Sequence, residues 1–308
     1  MAGTGAVTLQ QLRHFVALAD NGQVSRAAER CGISQPSMTA SLQNLEAAVN
    51  ARLLLRRRDG LSLSVAGERF LRHAQSVLHT LSEAVDDVRS TDGHVEGCVT
   101  IGVTDTITGY LLPALVATVQ KQFPAIQLTI VERERSEIER DLLAAAFDFV
   151  ILLVSNVTRA DHLACETLLA SPRRLWTSID HPLAAQDSVS LVDVAKHNYI
   201  LLDMDEHVET VRRYWEHFAM EPKTVFRSKS IEGVRSLVAQ GMGVTILSDL
   251  VFRGWSHDSG RIRRKLLSDP VPSMDVGLAM RPGDTLSPAA EAVTAYLRTS
   301  IRNLANPG

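Results

Sequence analysis

Apolar residues near the start of the chain recur every three or four positions, the spacing that places them on one face of an α-helix. Helices are predicted over residues 8–20 and 24–30, with Cys31-Gly32 forming the turn between the second helix and a third. Ser34 can cap this third helix, whose inward face carries four apolar residues at helical spacing: Met38, Leu42, Leu45 and Val49. The front of the chain therefore predicts three short helices around a small core.

A hairpin and a long helix are predicted next. The run Arg56-Arg57-Arg58-Asp59-Gly60 lies between two apolar segments, and Asp-Gly in that position favours a tight β-turn. From Val65 to Arg89 the apolar residues return to helical spacing, over a stripe longer than a small front domain can cover. The segment 91–94, which reads Thr-Asp-Gly-His, breaks this pattern and indicates a hinge.

Beyond the hinge, short apolar runs typical of strands alternate with helical segments. The predicted strands cover residues 98–103, 127–131, 149–154, 175–178, 199–203, 224–227, 244–247 and 276–280. The predicted helices cover residues 110–123, 137–146, 191–197, 206–219, 231–240 and 288–303. Alternation of this kind favours an α/β fold with a largely parallel sheet covered by helices.

Charge separates the front of the chain from the rest. The 308 residues are 45% hydrophobic and 22% charged with a formal net charge of −3, which is typical of a globular protein with more than one domain. Residues 1–64 contain seven arginines, no lysine and four acidic residues, a net charge of +3 that leaves −6 for the remainder. A basic front on an acidic chain indicates a nucleic-acid-binding module joined to a module of another kind.

Several classes of protein are disfavoured by the sequence. The longest apolar run, 142–154, contains Asp148 and is shorter than the roughly 18 residues of a membrane-spanning helix. The first eight residues lack the basic and apolar segments of a secretion signal. We therefore expect a cytoplasmic protein with no membrane partner.

Cysteine and histidine positions give no sign of a metal site or a catalytic centre. Cys31, Cys98 and Cys165 are scattered and are expected to be reduced thiols, with a redox pair of Cys98 and Cys165 as the alternative. The glycines at 241 and 243 lack the third glycine of a phosphate-binding loop, and there is no G-x-S-x-G motif. The sequence predicts no catalytic residue, no metal and no cofactor.

The third helix carries small polar residues away from its apolar stripe, a pattern that suits insertion into the major groove of DNA. The Gln35 amide matches the hydrogen-bonding edge of adenine, whereas arginines on a hairpin would contact phosphates or the minor groove. On periodicity alone, a three-helix bundle with a solvated polar face explains the pattern equally well. The candidate DNA contacts are Ser34, Gln35, Pro36, Ser37, Thr39, Ala40, Ser41, Arg56, Arg57 and Arg58.

Residues 27–39 read AAERCGISQPSMT, and the segments Leu45-Glu46, Leu53-Leu54 and 63–67 follow at unbroken spacing. This stretch resembles the signature of LysR-type transcription regulators, A-A-x-x-L-x-x-S-Q-P-A-[VL]-S, and its later L-E, L-F and L-T-x-A-G elements. Departures are Cys31, Asn50, Leu54 and Ser64 for the usual Leu, Gly, Phe and Thr, and Thr39-Ala40 for a common Ser-Arg pair. In the rear, residues 123–124, 181–184 and 241–247 are similar to the effector domain of the same family.

The resemblance implies a winged helix-turn-helix in residues 1–64, a linker helix and hinge in 65–94, and an effector domain in 95–308. The effector domain would be α/β, of the periplasmic-binding-protein type, with subdomain I in 95–168 and 271–308 and subdomain II in 169–270. The linker helix of the family pairs two chains. The implied partners are double-stranded DNA with an inverted repeat, a small-molecule effector, and further copies of the chain in a homodimer or homotetramer.

An effector would bind in the cleft between the two implied subdomains, near strand ends. Hydroxyl groups there suit a carboxylate, whereas Asp105 suits an amine, so the sign of the ligand's charge stays open. A solute-binding protein would share the rear fold and is the alternative function, although it would lack the helix-turn-helix. The candidate effector contacts are Thr104, Asp105, Thr106, Asp203, His207 and Thr245.

Overall fold

The computed structural model describes residues 6–57, 60–89, 95–157, 160–204, 207–216, 218, 221–256 and 260–305. Its front part contains three short helices, a two-stranded antiparallel hairpin and one long helix. In chain order these are α1 (Leu9–Asn21), α2 (Val24–Arg30), α3 (Gln35–Val49), β1 (Leu54–Arg57), β2 (Gly60–Leu63) and α4 (Val65–Arg89). This order of elements is the predicted winged helix-turn-helix followed by the predicted long helix.

Local chemistry explains where the front helices begin and end. Thr8 and Gln11 form a reciprocal capping box at the start of α1, and Gly22 ends that helix in the left-handed conformation at φ 66°. Asn50 ends α3 in the same region at φ 49°, which confirms that asparagine replaces the usual glycine without loss of the turn. Phe15 is fully buried and contacts Phe70 of α4 edge-to-face at 5.5 Å between centroids, so α4 completes this core.

The rear part contains a first, five-stranded sheet with helices packed against it. Its strands are β3 (Gly97–Val103), β4 (Ile126–Glu132), β5 (Phe149–Leu153), β6 (Ala164–Ser171) and β13 (Met274–Met280), in the spatial order β4-β3-β5-β13-β6. The accompanying helices are α5 (Asp105–Tyr110), α6 (Leu112–Gln122), α7 (Arg135–Leu143) and α11 (Pro288–Ala305). Two strand crossings, on either side of β7 to β12, connect this sheet to the second half of the rear part.

The second half contains a four-stranded sheet and a separate pair of parallel strands. Its strands are β7 (Arg173–Ser178), β8 (Ser188–Val189), β9 (Asn198–Leu202), β10 (Lys223–Ser228), β11 (Thr245–Ser248) and β12 (Ile262–Leu267). Its helices are α8 (Leu191–Val194), α9 (His207–Trp215) and α10 (Ile231–Ala239). The four-stranded order is β11-β7-β12-β8, and β9 pairs with β10.

The rear sheets are mixed, so the prediction of a largely parallel sheet is wrong. Strands β3, β4 and β5 are parallel as expected, but β13 is antiparallel to both β5 and β6, and β7 is antiparallel to β11 and β12. For β13 the reason is the second crossing, since the chain returns to the first sheet from the opposite end and β13 lies between β5 and β6. The sequence of such a strand does not indicate whether it runs parallel or antiparallel to its neighbours.

Four other differences are local. The predicted helix 110–123 is observed as α6, but the short helix α5 before it was not predicted, and Pro113, which has no N–H to donate, lies in the first turn of α6 and separates the two. Strand β12 was not predicted because three of its first four residues, Ile-Arg-Arg-Lys, are charged. Strand β6 was not predicted because its sequence, Ala-Cys-Glu-Thr-Leu-Leu-Ala-Ser, does not alternate regularly between apolar and polar residues. The predicted boundary at 168/169 falls inside β6, which continues to Ser171 in the first sheet, so the crossing lies at Pro172.

No helix in the described part of the chain is long and apolar enough to cross a membrane.

Candidate nucleic-acid interface and effector cleft

The start of α3 presents polar side chains to solvent. Ser34 is the N-cap and its hydroxyl accepts the Ser37 N–H at 3.3 Å, which fixes the first turn of the helix. The Gln35 side chain is exposed and forms no hydrogen bond within the described residues, so its amide is available to a base edge. The exposed candidate contacts of this helix are Ser34, Gln35, Pro36, Ser37 and Ala40.

Two predicted DNA contacts on α3 are engaged inside the protein. The Ser41 hydroxyl lies 2.7 Å from Nδ1 of His14, which is buried in α1. The Thr39 hydroxyl donates to the Gln35 carbonyl at 3.0 Å, within its own helix. Both side chains are half-buried, so they position α3 against its neighbours, and a further role in binding DNA stays a prediction.

The hairpin is fixed relative to α3 by one carboxylate. Glu46 Oε1 accepts the backbone N–H groups of Leu53 and Leu54 at 2.6 and 3.0 Å, so the last turn of α3 holds the start of β1. In the hairpin ladder Arg56 is opposite Leu61 and Arg57 is opposite Gly60. Arg56 and Arg57 are described by this backbone pairing alone, and Arg58 lies outside the described residues.

A groove separates α3 from the hairpin. Its cavity has a volume of about 790 Å³, and its polar lining comes from Gln35, Thr39, Gln43, Glu46 and Arg52. One wall of the groove is the exposed face of the helix and the other is the hairpin. The arrangement lets a nucleic acid contact the helix and the hairpin together.

In the rear part, a cleft of about 370 Å³ lies between the two halves. Its lining from the first half is Asp105, Glu132, Arg133 and Glu134, and its lining from the second half is Asp203, Met204, His207, Val208 and Lys229. We call this space the outer cleft. A molecule bound there would contact residues from both halves at once.

Behind the outer cleft lies a small internal space of about 20 Å³, which we call the inner cavity. Met204 and His207 line both spaces and so separate them. The polar groups of the inner cavity are Thr106, Arg173, His207 and Ser248, and the rest of its lining is apolar. Burial lowers the pKa of His207 to about 3, with a smaller contribution from the positive charge of Arg173, so this imidazole is neutral at physiological pH.

Thr104 occupies the N-cap position of α5 but does not cap it. Its hydroxyl forms no hydrogen bond to the helix, its side chain is 3% exposed, and its Oγ1 has no hydrogen-bond partner within the described residues. By contrast, the N-cap serines at 34, 190 and 230 each accept a backbone N–H. Thr104 therefore does not act as a helix cap, and its predicted contact with an effector stays a prediction.

Residues 92–302 match the family model described as the LysR substrate binding domain, and residues 9–68 match the bacterial regulatory helix-turn-helix protein, lysR family. This chain belongs to the LysR family. It is a transcription regulator with an N-terminal DNA-binding helix-turn-helix and a C-terminal effector-binding domain.

Relatives of this LysR protein extend over nearly its whole length. It is 26% identical to the DNA-binding transcriptional dual regulator OxyR of Escherichia coli K12, over 96% of each chain. It is also 26% identical to the uncharacterised regulator YybE of Bacillus subtilis, over 94% of this chain and 97% of that one. Among solved structures, a full-length OxyR variant from Pseudomonas aeruginosa matches with a TM-score of 0.71 and 27% identity, covering 96% of this chain and 98% of that chain.

Four of the six predicted effector contacts of the LysR protein line the two spaces. Asp105 and Asp203 line the outer cleft, Thr106 lines the inner cavity, and His207 lines both. Thr104 and Thr245 line neither space, and their role in binding an effector stays a prediction. Thr245 is fully buried within β11, opposite Trp176. Ser248, at the end of the same strand, lines the inner cavity instead.

Sequence reasoning missed several residues that shape the two sites. Glu46 and Gly67 were matched to the LysR motif without a role, yet Glu46 holds the hairpin. A Cβ at Gly67 would lie 2.1 Å from the Leu53 carbonyl oxygen, so only glycine lets α4 pack this closely. The segment 132–134 directly follows a predicted strand, and the rule that selected Thr104 would have selected it too. Arg173 could not be identified in this way, because the sequence does not indicate which of the adjacent Arg173 and Arg174 is buried.

Proposed function

We propose that a small polar metabolite controls DNA binding by this regulator from the outer cleft, without any catalytic step. The observation that carries the proposal is the lining of the cleft, which comes from both halves of the rear domain. A ligand shifts a conformational equilibrium only by its difference in affinity for the two states. A ligand that contacts both halves gains contacts when they close, so it favours the closed arrangement over an open one.

The position of Thr104, directly after β3, supports a ligand at this end of the first sheet. This residue lies next to Asp105 and Thr106, which line the outer cleft and the inner cavity respectively. The rear domain would then divide at Pro172 and near Ser273 into two subdomains that move about these crossings. Because the target is chromosomal DNA, we infer that the protein works in the bacterial cytoplasm.

On the DNA side, we propose that two chains pair through α4 and bind an inverted repeat. Val77 and Val85 of α4 are 47% and 40% exposed, and Leu81, midway between them, is half-buried. Apolar residues four positions apart form a stripe along one face, and packing two such helices together would cover it. A two-fold pair of helix-turn-helix domains matches a DNA site with two-fold symmetry.

The direct test combines DNA binding with a ligand screen. Gel shifts would compare the DNA upstream of the protein's own gene with random duplex of equal length, across a range of salt concentrations. A thermal-shift screen of metabolites would use the wild-type protein and Thr104→Val, since a ligand stabilises the native state by about 2.7 kcal/mol at a hundredfold excess over its Kd. Specific binding that a stabilising metabolite alters supports the proposal. Equal affinity for both DNAs, or no metabolite that alters binding, contradicts it.

A second candidate arises from relatives named hydrogen peroxide-inducible genes activators. A sensor that closes a disulfide within one chain needs two cysteine Cα atoms within about 7 Å. Cys98 lies on β3 and Cys165 on β6, three strands apart in the order β4-β3-β5-β13-β6, which is about 14 Å at the usual strand spacing. The structure therefore contradicts the alternative of a Cys98–Cys165 redox pair, and the metabolite proposal is preferred.

A further inference from the structure

Arg173 is an unusual residue for the position it occupies. It is the first residue of β7, directly after the crossing at Pro172, and it is 4% exposed. Its Nη1 donates to the carbonyl oxygens of Pro272 and Ser273, at 2.5 and 2.6 Å, in the segment where the chain crosses back. One guanidinium therefore connects the two crossings between the halves of the rear domain.

The charge of Arg173 is not neutralised within the described ranges of the chain. Its hydrogen-bond partners there are the two carbonyls, and no carboxylate forms an ion pair with it. Burial lowers its pKa, and Tyr214, Tyr199 and Asp275 have smaller opposing effects. The Asp275 carboxylate accepts the Ser273 hydroxyl. A guanidinium stays charged in proteins, and a buried charge without a counter-charge is costly.

Arg173 also lines the inner cavity. No acidic residue lines this space, and its other titratable group, His207, is neutral. Arg173 is thus the one charged side chain in the described lining of the inner cavity. The Ser248 hydroxyl donates to Ser171 and accepts the Leu250 N–H, so Arg173 is the group left to bind an anion. A guanidinium forms strong, charge-assisted hydrogen bonds with a carboxylate, so a buried arginine of this kind suits a carboxylate ligand.

The charge of the outer cleft is opposite in sign to that of the inner cavity. Its described lining has four acidic residues, Asp105, Glu132, Glu134 and Asp203, and two basic residues, Arg133 and Lys229. A simple anion would meet net negative charge before it reached Arg173. A ligand with a positive group at its outer end would be attracted by both spaces.

We propose that the effector is a small zwitterion of the amino-acid type, a proposal that rests on the proposed function of the cleft. Its carboxylate binds Arg173 in the inner cavity, and its ammonium group lies on the side of Asp105 and Asp203. The inner cavity, at about 20 Å³, has room for about one water. Met204, which separates the two spaces, must therefore shift, and the flexible thioether side chain of methionine permits this.

The first test changes the ligand and leaves the protein intact. Each standard L-amino acid is added to the full-length protein at millimolar concentration, and the melting temperature is recorded. Each stabilising amino acid is compared with its carboxamide, which lacks the carboxylate, and with its deaminated acid, which lacks the ammonium group. The proposal expects at least a tenfold weaker Kd for both analogues by titration calorimetry. It is overturned if no amino acid stabilises the protein, or if either analogue binds as tightly as the parent.

The second test changes the protein. Arg173→Gln keeps amide donors for the two carbonyls but removes the charge, and should weaken amino-acid binding roughly ten- to a hundredfold. Arg174→Gln is the matched control, because Arg174 pairs with Asp249 and lines neither space, and it should bind as the wild type does. Arg173→Lys keeps the charge and should bind more tightly than Arg173→Gln. Equal binding by wild type and Arg173→Gln would overturn the proposal.

These results separate the new proposal from the one on which it rests. If a metabolite of another class alters specific DNA binding and amino acids do not bind, the control of DNA binding from the cleft stands and the zwitterion is wrong. If amino acids bind through Arg173 but leave DNA binding unchanged, the ligand assignment stands and control from the cleft is wrong. The gel shift therefore tests the control of DNA binding, and the calorimetry tests the identity of the ligand, independently of each other.

Discussion

The DNA-facing surface of α3 and the cleft of the rear domain use polar residues in different ways. On α3 the polar groups are exposed and adjacent in sequence, as with Ser34, Gln35 and Ser37. In the cleft they are buried and come from distant positions, as with Thr106, Arg173 and His207. An exposed polar group costs little when its ligand is absent, whereas a buried one destabilises the free protein until the ligand arrives. The first surface is suited to scanning many DNA sequences, and the second to a switch that one ligand operates.

The largest effect is expected for Gly67→Ala, which should abolish DNA binding by the front domain and leave ligand binding in the cleft intact. Gly67→Ala places a Cβ 2.1 Å from the Leu53 carbonyl, and that backbone atom cannot move away without breaking the hairpin. We expect a loss of about 3 kcal/mol or more in the free energy of unfolding of the front domain, with loss of DNA binding. Ligand-induced stabilisation of the rear domain should persist. Differential scanning calorimetry and gel shifts measure the two outcomes.

Gly109→Ala is the control for that substitution, since a Cβ at Gly109 meets no atom within 4 Å. It should leave both domains stable. If Gly67→Ala instead lowers ligand binding and DNA binding together, the two domains do not behave as separate units.

The next effect concerns specificity rather than stability. Gln35→Ala should reduce the discrimination between the operator and a variant operator by about 2 kcal/mol, because an amide that pairs with adenine is lost. Arg57→Ala should weaken binding to all duplexes alike. Gln10→Ala, which removes an exposed amide from α1, should change neither. Competition gel shifts would measure this, and an unchanged preference in Gln35→Ala means that α3 does not enter the major groove as proposed.

The comparison of α3 with the cleft shows why the contacts of the front domain were largely predictable from the sequence and those of the cleft were not. The α3 contacts lie within one helix, so the spacing of Met38, Leu42 and Leu45 is enough to tell which side chains point outward. Asp105 and Asp203 were found because polar residues after strand ends tend to meet at one edge of a sheet. Arg173 depends on the crossing segments, which bring the Pro272 carbonyl to a residue 99 positions earlier in the chain. Neither the buried position of this arginine nor the reversed direction of β13 has a local signature.

The buried His207 of the cleft should also make the free energy of unfolding depend on pH. The pKa of His207 is lowered to about 3 in the native protein, against about 6.5 for an unfolded chain. Between these values the unfolded chain binds a proton that the native protein excludes, so stability rises with pH across this range and is constant above it. At pH 5.5 the loss relative to pH 8 should be roughly 1 to 2 kcal/mol from this residue. Urea denaturation of wild type and His207→Gln measures the difference.

The exposed His73 is the comparison for this effect, and His73→Gln should keep the wild-type pH profile. A His207→Gln variant that loses stability on acidification as steeply as the wild type would show that the imidazole is not buried in solution.

The smallest expected effect concerns Asn50, which stands at the end of α3 where the LysR pattern has glycine. Asn50 ends α3 at φ 49° and ψ 41°, a region in which residues with a Cβ are strained and asparagine is tolerated. Asn50→Ala should therefore lower the free energy of unfolding by about 1 kcal/mol, and Asn50→Gly should match or slightly exceed the wild type. Because the turn at Asn50 leads from α3 to the hairpin that Glu46 holds, Asn50→Ala should also weaken DNA binding slightly, whereas Asn50→Gly should not. Denaturant melts with gel shifts on the two variants measure both, and equal stability of the alanine and glycine variants would show that the left-handed turn is absent.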